Sequence, residues 1–145
     1  MSGWLRRCVV VPVDFSDESF VAVREALKMV ASAGDLHVLH VLPELSPLEP
    51  GELWSTITDE SRKEHVVKAL RERLGDAEFE GCNFEVRIGS PAHEIVDYAE
   101  QLGADTIVLP SRGITGLAHI LIGSVAERVV RHAHCPVVVL RDGKG

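Results

Sequence analysis

Short β-branched runs alternate with segments of helical periodicity along the whole 145-residue chain, and that alternation leaves few folds open. Arg7 to Val13 holds Cys-Val-Val-Val-Pro-Val, a run suited to a strand buried on both faces. Ser16 then stands where a helix cap is needed. Asp17 and Glu18 would fill the first turn, Phe20, Val23, Leu27 and Val30 form one apolar stripe, and Gly34 should stop the helix. Leu36 to Leu42 reads as a second strand, and the proline-rich stretch from Pro43 to Gly51 can continue neither kind of element. A charged helix follows from Asp59 to Leu74, with Val66, Val67, Leu70 and Leu74 as its inner face and Gly75 at its end.

The second half repeats the pattern. Asn83 to Ile88 predicts a third strand, and Ser90-Pro91 a capped helix whose residues Ile95, Val96, Ala99 and Leu102 face inward before Gly103. Asp105 to Leu109 predicts a fourth strand, Ser124 to Ala133 a fourth helix, and Pro136 to Leu140 a fifth strand. Right-handed crossovers between such elements build a doubly wound parallel sheet, which binds ligands above the carboxyl ends of its strands where the strand order reverses. With no internal repeat or linker, residues 1–145 form one domain, and a chain of this length buries enough surface to be stable without staples.

Charge narrows the partners. Fifteen Lys and Arg against twenty-two Asp and Glu leave a net charge of −7, which argues against general binding to nucleic acid or anionic lipid. No run approaches the roughly 20 apolar residues of a membrane span, and Met1 to Arg7 is not followed by a signal-peptide core, so a cytosolic protein is expected. Cys8, Cys82 and Cys135 are too scattered for a disulfide framework or zinc knuckle and are expected to be buried thiols. His132, His134 and Cys135 cluster in sequence, but a helix running into a strand would splay them apart.

Two loops carry the chemistry. In the first, Pro12-Val13-Asp14-Phe15-Ser16, the Asp14 carboxylate could accept from a ribose hydroxyl or hold a divalent cation, or it could organise the turn and helix cap together with Ser16. The second runs from Pro110 to Ser124 with glycines at 113, 116 and 123 and ends at a helix start. Glycines let main-chain amides approach a phosphate, the helix start adds unpaired donors, and Ser124 and Arg112 could join them. Gly116 serves as a turn residue.

Together with His40-Val41, Gly89-Ser-Pro-Ala, Gly123-Ser-Val-Ala-Glu-Arg-Val-Val and Cys-Pro-Val-Val-Val, the first loop gives the chain a resemblance to the universal stress protein family over essentially its whole length. The resemblance implies a Rossmann-like, adenine nucleotide alpha-hydrolase-like sheet of order 3-2-1-4-5 with helices on both faces. It also implies ATP, with Mg²⁺ or Mn²⁺, as ligand. Nucleotide-binding members carry Gly-x-x-Gly, nine residues, then Gly-Ser or Gly-Thr. Here Gly113 and Gly123-Ser124 keep that spacing, but Pro110 replaces the first glycine and offers no N–H. By this similarity adenine and ribose lie near Pro12, Val13, Asp14 and Val41, and phosphates meet Ser111, Arg112, Gly113, Gly123, Ser124 and Val125. Asp14 is the metal candidate, and Val41 could equally be plain core.

No nucleophile elbow, metalloprotease pair or Walker loop occurs, and His93 and His119 are the remaining candidate bases. The expectation is therefore a nucleotide-dependent regulator and no dedicated enzyme, with slow ATP hydrolysis left open. The competing reading is a nucleotide-free interaction module. A homodimer formed through the last strand, Pro136, Val137, Val138, Val139 and Leu140, is also implied, since an uncovered strand edge tends to find a partner.

Overall fold

The computed structural model describes residues 5–44, 58–110 and 123–141. Five strands, β1 (Val9–Pro12), β2 (Leu36–Leu42), β3 (Asn83–Ile88), β4 (Thr106–Pro110) and β5 (Val137–Leu140), lie parallel in the order β3-β2-β1-β4-β5. Between them run α1 (Asp17–Leu27), α2 (Asp59–Arg73), α3 (Pro91–Leu102) and α4 (Ser124–His132). This is the doubly wound order, with the reversal between β1 and β4.

Strand alternation divides the core in two. Val9, Val11, Val38 and Val108 face α1 and α2, where they meet Phe20, Val23, Ala26, Leu70 and Leu74. Val10, Leu39, Ile107 and Leu109 face α3 and α4, against Ile95, Tyr98, Ala99, Ala126 and Val129. The second and third expected strands have the observed bounds, and the other three differ by a residue or two at their ends.

Five expectations need correction. The first helix stops at Leu27, well before Gly34, because the amides of Lys28, Met29 and Val30 reach back to Glu25, Ala26 and Leu27 in tightening turns. Val30 is still buried, but through a bridge to Arg6, and Gly34 sits in a separate one-turn helix that Ser32 caps. Leu102 does not face inward. It ends α3 at 37% exposure, just before Gly103 adopts φ 66° and turns the chain toward β4. The inner face of α2 is narrower than its periodicity suggests, with Leu70 the one buried residue in the helix and Val67 half-exposed. Ser90 begins α3 without a side-chain cap bond. Nor are the cysteines fully buried: all three are free and half-exposed, although burial still pushes the Cys82 thiol up to about 11.

Among the described residues no helix is long and apolar enough to cross a membrane. His37, half-buried on β2 with Nδ1 3.4 Å from the Tyr98 hydroxyl, is held below the ordinary histidine value of 6.5 by desolvation, with Asp35 opposing. A lowered folded value means the unfolded chain takes the proton first. The contribution to stability is therefore complete above 6.5 and is lost as pH falls below it toward the folded value. Urea unfolding between about pH 7.5 and 5.5 should show wild type losing stability more steeply than His37→Gln.

Candidate functional site

The strand pairing itself opens a hollow. β1 and β4 pair at only two positions, Val9↔Thr106 and Val10↔Ile107, although β1 runs on to Pro12 and β4 to Pro110. Val13 donates its amide to Leu39 on β2, so by alternation residue 12 turns its nitrogen toward β4. Ile107 donates to Pro136 at the start of β5, so residue 110 turns its nitrogen toward β1. Both nitrogens that would carry the ladder onward belong to proline and have no proton to give. The two strands part at the reversal point, where ligands of doubly wound sheets bind.

The β1–α1 turn forms one wall. The Asp14 carboxylate accepts from the Ser16 amide at 3.0 Å and from the Ser16 hydroxyl, and Ser16 Oγ in turn accepts from the Ser19 amide at 3.2 Å. The turn-organising role of Asp14 is thus present, with the residue itself exposed at the hollow. Phe15 between them adopts φ 66°, a left-handed conformation that costs a non-glycine residue about 1–3 kcal/mol. Its ring meets Phe20 edge-on at 5.7 Å and His40 at 5.0 Å, and His40 Nδ1 lies 2.7 Å from the Val13 carbonyl. Ser16→Ala removes the cap together with the hydroxyl that donates to Asp14. It should lower stability by about 0.5–2 kcal/mol in urea denaturation.

The start of α4 forms the opposite wall. Glu127 makes the first intrahelical bond, to the Gly123 carbonyl, so the amides of Ser124, Val125 and Ala126 precede the helical ladder. The hollow, about 200 Å³, is lined by Pro12, Val13, Asp14, Ser19, His40, Val41, Pro91, Ile95, Leu109, Pro110, Gly123, Ser124, Val125 and Ala126. Seven sequence-predicted site residues therefore converge: Pro12, Val13, Asp14, Val41, Gly123, Ser124 and Val125. Val41 is half-buried against the second core cluster and also lines the hollow. Ser111, Arg112, Gly113, Gly116 and His119 lie outside the described residues, as does most of the Pro43 to Ser55 loop. His93 is elsewhere, in a groove between α3 and α4 with Arg128, His132 and His134. There His134 pairs with Glu100 at 3.3 Å. The sequence reading did not place His40 and Phe15 in the site, and it did not see that Pro12 shares the defect of Pro110.

A model of the universal stress protein family matches residues 6–141. The chain belongs to that family. Universal stress protein MJ0531 of Methanocaldococcus jannaschii is 38% identical over 146 residues, covering 97% of this chain and 85% of its own. The solved universal stress protein UspA from Lactobacillus plantarum is 30% identical, with a TM-score of 0.71 over 94% of this chain and 99% of that one. A universal stress protein in complex with cAMP superposes with a TM-score of 0.62 over 94% and 97% of the two chains, and at 22% identity it speaks to the fold.

Proposed function

We propose that this universal stress protein binds an adenine nucleotide, ATP with Mg²⁺ or Mn²⁺, in the hollow between β1 and β4 and acts in the cytosol as a nucleotide-dependent regulator rather than a dedicated enzyme. One observation carries the reading: the hollow joins an apolar wall to a helix start. Val41, Ile95 and Leu109 offer the surface a purine needs, while the first amides of α4 and the Ser124 hydroxyl offer donors to a phosphate. Among the described lining residues Asp14 is the sole charged side chain, so a metal held at Asp14 would offset phosphate charge there. ATP would supply that charge and a transferable phosphoryl group. The chain's own contribution is to bind and orient.

Calorimetric titration with MgATP tests this. Wild type should release heat, and Gly123→Val, which puts a branched side chain into the lining, should abolish it. Absence of heat with wild type and with Pro110→Gly would overturn the nucleotide reading in favour of the interaction module. That second reading is favoured by the two prolines that withhold amide protons from the hollow.

The regulator is also proposed to be a homodimer. Among the described residues β5 has one neighbour, β4, and Val137 to Leu140 are half-exposed next to Pro136. Sedimentation should give about 32 kDa, twice the 15.8 kDa chain.

A further inference from the structure

The side chains of consecutive strand residues point to opposite faces of a sheet, so Val41 and His40 work from opposite sides of β2. Val41 packs with the α3 and α4 cluster. His40 meets the ring of Phe15, which packs with the α1 and α2 cluster. We propose that His40 is a positioning residue of the ligand site: its Nδ1–H donates to the Val13 carbonyl and its ring braces Phe15, which together hold the β1–α1 turn in the left-handed kink that presents Asp14. This rests on the hollow being a nucleotide site, and it gives His40, which also lines that hollow, a role that acts through the turn.

A carbonyl can only accept, so a ring nitrogen 2.7 Å from the Val13 oxygen must carry the proton. That fixes the neutral ring as the Nδ1–H tautomer. Two residues further on, Phe15 sits at φ 66°, and the rings of His40 and Phe20 are its edge-on contacts. Such a conformation persists only where its surroundings hold it. Its consequence lies at Asp14, whose carboxylate reaches across the kink to the Ser16 amide. Without the imidazole, the Val13 carbonyl loses its donor and Phe15 loses half of its support, and the turn can relax.

The test compares His40→Leu, which has no donor, with His40→Asn, whose carboxamide N–H occupies nearly the place of Nδ1. A ligand-free readout comes first. Nitrogen-15 spectra of the wild-type imidazole should show the Nδ1–H tautomer. Exchange of the Ser16 amide should quicken about tenfold in His40→Leu and return to within about threefold of wild type in His40→Asn. In titrations, His40→Leu should weaken adenosine and ATP by about tenfold, and His40→Asn, which keeps the donor but not the ring, should recover most of that loss for both. An Nε2–H tautomer, unchanged Ser16 exchange in a folded His40→Leu, or a loss that asparagine leaves unrepaired would overturn the inference. Should wild type bind neither ligand, the nucleotide reading fails, and the spectra and exchange rates still decide whether His40 holds the turn.

Discussion

Replacing Pro110 with glycine is expected to tighten MgATP binding by about tenfold. A hydrogen bond to a charged group contributes about 1.5–3 kcal/mol, the added glycine flexibility takes back about 0.5–1, and 1.4 kcal/mol is a factor of ten. The direction follows from strand alternation: the nitrogen of residue 110 faces β1 across the parted seam, so a proton placed there points into the hollow. Parallel titrations of wild type and Pro110→Gly measure the ratio. The competing acceptor is the carbonyl of Pro12, on the same side of β1. A higher melting midpoint with unchanged affinity would mean that the new amide had extended the ladder by one step, and the expected gain would then be refuted.

Leu39→Ala should have the largest effect on stability, a loss of about 2–5 kcal/mol, against a total of about 5–15 for a domain of ordinary stability. Leu39 is fully buried on β2, in register with Pro12 on β1 and Glu85 on β3, and belongs to the core cluster that also contains Ile95 and Leu109. Strands hold it on both sides, so little can move to fill the space the truncation leaves. Urea midpoints at constant slope give the loss directly. A loss below about 1 kcal/mol would show that the helices slide inward and that the core under the hollow is softer than its packing implies.

The sheet was legible because each strand is a run of β-branched or alternating residues bounded by glycine, proline or a cap, and both signals are local. Helix ends were less legible. Gly34 looks like a stop, yet the helix ends seven residues earlier and Val30 then bridges to Arg6, a tertiary contact that no local pattern encodes. Leu102 fits the apolar stripe of α3 but is its last residue, exposed just before Gly103 turns the chain. In the site, Asp14, Val41 and Ser124 could be found because their residue types advertise polar or apolar roles at strand and helix ends. His40 was passed over because its partner is a main-chain carbonyl 27 positions away, and Phe15 because a left-handed phenylalanine has no sequence signature. The Pro12 defect was visible in principle: two prolines ending two strands become informative once those strands are known to be neighbours.

The central place of β1 sets an order of assembly. Its first neighbour, β2, leaves the ribosome soon after it, but the second, β4, begins only at Thr106. A nascent chain halted before that point has Val9, Val10 and Val11 hydrogen-bonded on one side only, with an apolar strand edge open to any other chain. Synthesis from Thr106 through β4 therefore both opens the hollow and covers that edge of β1.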